Sequence, residues 1–120
     1  QEADSVLGKW FTEDNKGQVE IFFDQATSTY NGKIVWLKNP KESNGQAKRD
    51  INGDLVLNMV NLTGFVFEDG EWIEGKIYDP ESGKTYYCTL SLVNHNKLKI
   101  RGSIDPMGWL GETQYWNRVN

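Results

Sequence analysis

His95, Cys88 and a scatter of carboxylates are the side chains first in line for acid, base or nucleophilic chemistry, since the chain has one histidine, one cysteine and 17 acidic residues. His95 stands between Asn94 and Asn96, a composition that makes a turn, and a turn histidine is ordinarily solvated. Cys88 shares an alternating face with Leu90, where a thiol behaves as a small buried hydrophobe and not as a reactive thiolate. One Cys with one His cannot supply the three or four ligands of the common zinc sets, so no metal site is expected. Asp79 ends an apolar alternation beside Tyr78 and close to Lys84, where it serves either as a turn cap or as a polar anchor. The pairs Glu20 with Asp24 and Glu71 with Glu74 read as solvated, and no motif sets the carboxylate spacing a glycosidase needs. No catalytic constellation emerges, no cofactor is implied, and a hydrolase is the weakest of the functions to be weighed.

The elements that position these residues are strands. From Trp72 to Leu90, Ile73, Gly75 and Ile77 fall on one side and Trp72, Glu74, Lys76 and Tyr78 on the other, after which Tyr86, Cys88, Leu90 and Leu92 oppose Tyr87, Thr89 and Ser91. Between the two runs lies Asp79-Pro80-Glu81-Ser82-Gly83, in which Pro80 presets φ and Gly83 accepts a left-handed conformation, so the pair is a hairpin. Upstream, Leu7 to Thr12 reads as a strand; Val19, Ile21 and Phe23 alternate in the next, and Tyr30, Gly32, Ile34 and Trp36 in the third. Leu55 to Phe67 reads as a short strand, a break near Asn61 and a second strand, and Asp69-Gly70 is a two-residue hairpin signal. Leu98, Ile100, Gly102 and Ile104 alternate next, and Thr113 to Val119 is the last strand. No helical periodicity interrupts this series. The expected fold is therefore all-β, an antiparallel up-and-down barrel of eight or nine strands over residues 6–120, with residues 1–5 a polar, frayed tail.

Composition removes several functions. A chain of 120 residues with 38% hydrophobic residues makes one domain. A net charge of -4 with dispersed Lys and Arg disfavours nucleic acid, and no apolar run approaches the ~18 residues of a membrane-spanning helix. A lone cysteine excludes an internal disulfide, and a chain beginning at Gln1 instead of Met suggests a trimmed terminus and export.

A barrel of about eight strands is either filled by side chains or holds one small ligand. The alternation nominates Phe23, Ile34, Trp36, Ile77, Tyr86, Cys88 and Ile100 as the lining of a site for a small apolar or amphiphilic molecule, with Asp79 or Tyr86 as polar anchors. Arg101 alternates with Ile100 and falls outside. Asn39 to Gly53, long and polar, could cover the mouth as a lid or could simply be mobile. The alternative is a filled barrel acting as an envelope or secreted interaction module, with a protein partner that the sequence does not name.

Gly8-Lys9-Trp10 near the start and Trp116-Asn117-Arg118 at the end resemble the closing pair of lipocalin-type barrels, in which an arginine of the last strand lies across the tryptophan of the first. The chain more closely resembles a bacterial, usually exported family known as domain of unknown function 2147. The likeness rests on Gly8 and Trp10, Tyr30 to Val35, Trp72 with Gly75, Ile77 to Pro80 with Gly83, Lys84 and Tyr86, Cys88, Leu98-Lys99 with Arg101-Gly102, and Leu110-Gly111 through Arg118. It implies a lipocalin-like barrel in the periplasm or secreted, and no reaction. Ser103, Asp105 and Glu112 depart from that pattern, which usually has an aromatic, a glycine and an arginine there, and the cysteine pair some relatives carry in the long loop is missing.

Overall fold

A computed structural model describes residues 2–120. Eight antiparallel strands follow one another around a closed barrel: β1 (Gly8–Phe11), β2 (Gly17–Asp24), β3 (Thr29–Leu37), β4 (Val60–Glu68), β5 (Glu71–Asp79), β6 (Lys84–Asn94), β7 (Lys97–Ser103) and β8 (Gly111–Arg118). Each strand pairs with its sequence neighbour, and β8 returns to β1, with Trp10 opposite Arg118 and Phe11 opposite Asn117. Closure leaves no free sheet edge, which is what so many short alternating runs require. Among the described residues no helix is long and apolar enough to cross a membrane.

The hairpins follow their local chemistry. Asp69 and Gly70 both have positive φ, 51° and 81°, the pair of values a tight two-residue turn between twisted strands demands. At Asn94 the carboxamide accepts the Asn96 N–H at 2.9 Å and folds the chain from β6 into β7.

The barrel is packed solid at one end. Trp10, Trp72, Leu62 and Leu98 are fully buried there, with Phe65, Leu90 and Trp116 beside them. The polar start of the chain closes this end instead of fraying. Ala3–Val6 forms a 3-10 turn whose carbonyls receive two buried indoles: Trp10 Nε1 donates to Val6 O at 3.0 Å and Trp72 Nε1 to Ala3 O at 3.1 Å. The Tyr30 hydroxyl donates to Asp4 Oδ1 at 2.6 Å, and burial together with that carboxylate pushes the phenol up to about 12. The tail expected over residues 1–5 is thus an ordered plug from Ala3 onward, because buried indole N–H groups must find acceptors; Gln1 lies outside the described residues.

Three of the five irregularities in strand register account for the places where strict alternation misleads about the residues named above. Between Trp72 and Gly75 the register against β6 slips by one residue, with Glu74 at φ 63°, so Trp72 turns inward on the same side as Gly75 and Ile77 instead of outward. Between Gln18 and Val19 the register against β3 slips at Val35, so Trp36 faces outward, meeting Phe11 edge-on at 6.2 Å, and Leu37 takes the inward place. In β4 the pairing runs Gly32 to Leu62 and Lys33 to Val60, leaving Asn61 as the extra residue. The break expected near Asn61 is this bulge. No strand precedes it at Leu55, which makes only an isolated bridge to Arg49.

Candidate functional site

The end of the barrel away from the tryptophan plug is open. It contains a cavity of about 930 Å³ whose apolar wall is built by Val19, Ile34 and Leu37 from the strands and by Val56 from the long connection between β3 and β4. Its uncharged polar lining includes Asn61 from β4, Thr12, Gln18 from β2 and, exposed at the mouth, Gln114 from β8, and Asp79 reaches it from the end of β5. Around them stand Glu13, Asp14, Lys16, Glu42, Lys48, Arg49 and Glu81, a rim of mixed sign that sets up no strong field of either charge.

Two of the polar groups are already engaged. Asp79 caps its turn: Oδ1 accepts the Glu81 N–H at 3.0 Å, Oδ2 accepts the Ser82 hydroxyl at 2.9 Å, and its carbonyl accepts the Gly83 N–H at 2.8 Å. Gln114 Oε1 accepts the indole N–H of Trp116 at 3.1 Å, which leaves the two amide hydrogens of Gln114 unused by that bond. Asn61 differs. It is 7% exposed, and its Oδ1 has no hydrogen-bond partner in the protein. The other buried polar side chains are satisfied: Asn31 holds the Gly64 N–H and the Thr29 backbone, Asp50 holds Tyr78 and its own loop, and Ser103 donates to Asp105 O.

Of the residues nominated from sequence, Ile34 and Asp79 line this cavity. Cys88 and Ile100 are packed in the core, and desolvation pushes the Cys88 thiol up to about 12. Ile77 and Tyr86 pair across β5 and β6 on the inward side and are half-buried, short of the cavity wall. Phe23 lies at the plugged end, 41% exposed and stacked edge-on with Tyr30 at 4.9 Å. Trp36 is outside, for the reason of register given above. Arg101 is also outside, as its alternation indicated, and donates to Gly108 O from Nε and Nη2. His95 is exposed in the turn at the plugged end. Asn61, Gln114 and Val56 were missed; a lone Asn in an apolar run three residues before Gly64 was the signal for the first, and nothing local marked the others.

The long connection is not a loose lid. Lys41 bridges Ala47 and Arg49 bridges Leu55 in two small hairpin-like bends, and Val56 is tucked into the barrel. A strap fixes it to the outside of β5: the Tyr78 hydroxyl donates to Asp50 Oδ2 at 2.6 Å, while Asp50 Oδ1 accepts the N–H groups of Asn52 and Asp54. The Tyr78 bond first, and then these backbone donors, hold the Asp50 carboxyl below the usual carboxylate range. A depressed folded-state value stabilises the strap above an unfolded value of roughly 4, and that contribution is lost as pH falls through the folded value. Tyr78→Phe should therefore speed amide exchange over residues 50–56 at neutral pH with the strands still protected, and the parent should show the same loosening only below roughly pH 4. Unchanged exchange in both experiments would refute the strap.

Gly83 also depends on this connection. It has φ +74°, and a Cβ there would run into Ile51 of the loop. Gly83→Val should cost roughly 1–2 kcal/mol, mostly from left-handed strain, because Ile51 is 69% exposed and can swing aside from the new side chain. A parent-like melting temperature would contradict that strain.

The profile of a family described as uncharacterised proteins conserved in bacteria, DUF2147, matches residues 8–118. The chain belongs to that family. Among solved structures, the DUF2147 chain is similar to a Helicobacter pylori protein, HP1028, described as belonging to the lipocalin family, at 21% identity with a TM-score of 0.76, covering 96% of this chain and 83% of that one. At that identity the likeness establishes the fold, a lipocalin-like barrel. No curated protein matches the chain.

The corner where this DUF2147 chain departs from the resembled pattern is built around one of the departures. Asp105 accepts the N–H groups of Leu110 at 2.7 Å and Trp109 at 3.0 Å, and these bonds, Leu110's first, hold its carboxyl below the usual range. The connection between β7 and β8 is thereby fixed with Ile104, Met107, Trp109 and Leu110 all more than 60% exposed.

Proposed function

We propose that the protein binds one small amphiphilic molecule in the open end of its barrel, outside the cytoplasm, and performs no reaction on it. The cavity carries this reading: about 930 Å³ lies in the range of small-molecule sites, and an apolar patch of Val19, Ile34, Leu37 and Val56 shares its wall with a larger set of polar and charged side chains, a mixture suited to an amphiphile. The absence of chemistry is supported by the residues first suspected of it. Cys88 is buried with a raised thiol, His95 lies at the opposite end of the barrel, and both carboxylate oxygens of Asp79 are committed to a turn. The extracytoplasmic setting rests on the resemblance to exported bacterial proteins, and fractionation of the native host would test it.

Native mass spectrometry of protein from its own host should reveal one retained small molecule. Titration with fatty acids, isoprenoids and aromatic metabolites should give a saturable change in tryptophan emission, reported by Trp116, whose indole is bonded to the cavity residue Gln114. Trp116→Phe should remove most of the signal, and Trp36→Phe, on the outer surface, should not. A folded protein with neither a retained molecule nor a saturable response would overturn the proposal.

A second reading has its own observation. The exposed Ile104, Met107, Trp109 and Leu110 are the kind of apolar cluster that marks a protein-docking surface, which suits an interaction module. Such a module needs no cavity, so retention of a ligand separates the two.

A further inference from the structure

Asn61 is retained where it costs stability. A buried polar group without a partner forfeits its hydration, and native proteins leave few such groups unexplained. Here the chain inserts an extra residue into β4 to place that side chain: the bulge between Val60 and Leu62 turns Asn61 inward among Val19, Ile34 and Val56, where plain alternation would suit another aliphatic residue. Across the same cavity stands Gln114, whose oxygen is spent on the Trp116 indole and whose amide hydrogens are not. Gln114 is exposed at the mouth, so the site pairs a buried acceptor without a partner with donors that face water until a ligand takes them.

We propose that Asn61 and Gln114 form the recognition point of the cavity, and that its ligand is an amphiphile whose head is uncharged and both donates and accepts hydrogen bonds, a carboxamide or lactam. This rests on the reading that the cavity binds a small molecule. A carboxylate head offers no donor to Asn61 Oδ1, and the rim cations Lys16, Lys48 and Arg49 stand among the carboxylates of Glu13, Asp14, Glu42 and Glu81, so the rim offers it no net attraction. An ammonium head offers no acceptor to Gln114, and the nearby Asp79 oxygens are held by the turn. Oδ1 is shut off from solvent as the side chain stands, so a ligand reaches it by a turn of the Asn61 amide about χ2, and a carboxamide, which both donates and accepts, then serves Asn61 and Gln114 together.

The probes are octanamide, octanol, octanoate and octylamine, equal in chain length and different in head, titrated at pH 7.5 with calorimetry. Octanamide should bind at least about tenfold more tightly than octanoate or octylamine, with octanol between. Asn61→Leu should remove the amide preference while raising the ligand-free melting temperature by about 4–8 °C, since the unpartnered group is gone. Gln114→Glu keeps an acceptor for Trp116 but replaces the donors with a carboxylate, and it should weaken octanamide and strengthen octylamine. A preference for octanoate would overturn this proposal and leave small-molecule binding standing. So would an Asn61→Leu protein that keeps the amide preference, the result expected if Asn61 meets only an ordered water. Lower stability in Asn61→Leu with all affinities reduced alike would make Asn61 purely structural and also overturn it. Failure of every probe to saturate would remove the binding reading itself.

Discussion

Arg118→Ala is expected to destabilise the barrel by roughly 2–4 kcal/mol while leaving the open end unchanged. The guanidinium carbon lies 4.2 Å from the Trp10 ring centroid. Its nitrogens donate to three carbonyls on three segments: Nη1 to Leu7 at 2.9 Å, Nη2 to Ser5 at 2.8 Å and Nε to His95 at 2.8 Å. This one side chain joins the plug, the residue that leads into β1 and the turn between β6 and β7 at the seam where β8 meets β1 through just two residue pairs. A stack of this kind is worth about 0.5–2 kcal/mol, and charge-assisted hydrogen bonds about 1.5–3 each before water replaces them at the partly exposed carbonyls, so the sum is capped well below their total. Arg118→Lys should recover only part of the loss, because an ammonium cannot serve three divergent carbonyls and stack flat on an indole together. Gly8 belongs to the same device, with φ +121° and a missing Cβ that would come within 3.1 Å of Nη1. Chemical denaturation and amide exchange over residues 3–11 would measure the effect. Parent-like stability in Arg118→Ala would show that the seam is held by strand pairing alone.

How far the fold can be read from the chain depends on whether a strand is regular. β6 and β7 stay in register until one slip between Leu92 and Asn94 at the turn, and along the regular stretch Cys88, Leu90, Leu98 and Ile100 face inward as the alternation requires. The closing pair Trp10 and Arg118 was also legible, through its resemblance to the closing pair of lipocalin-type barrels and because a barrel must bring its first and last strands together. The site was less so. A single inserted residue reverses the face of everything beyond it, which is why Trp36 was expected inside and why Trp72 was placed on the side opposite Gly75 and Ile77. The bulges leave weak marks: Gly75 follows one and Gly64 lies near another, and a lone glycine within a strand commonly signals a bulge or a close approach. The plug has no pattern of its own. Ala3–Val6 is ordered by the acceptors it offers to Trp10 and Trp72, and that demand arises only once the two indoles are buried together. Gln114 and Val56 reach the cavity through closure and through a folded loop, both properties of distant contacts.

A buried ring excludes any side chain at Gly75, and Gly75→Ala should cost roughly 3 kcal/mol, at the upper end of what overpacking usually does. The backbone there is extended, so no left-handed strain enters. The cost is the Phe65 ring, which lies directly over the glycine and would overlap a Cβ along its whole edge. Phe65 is 1% exposed and wedged with Leu62 and Trp72, both fully buried, so it has no free direction in which to swing. The bulge at Glu74 creates this requirement: by turning Trp72 inward beside Gly75 it puts two large rings on one short stretch of wall, and only an absent side chain makes room. A double-mutant cycle isolates the effect. Phe65→Leu alone should lose about 1–2 kcal/mol of ring packing, yet in the Gly75→Ala background it should restore stability, because the leucine vacates the space the new methyl needs. If the two losses simply add, the methyl is not colliding with the ring, and the glycine must be conserving the bulge by some other means than the space beneath Phe65.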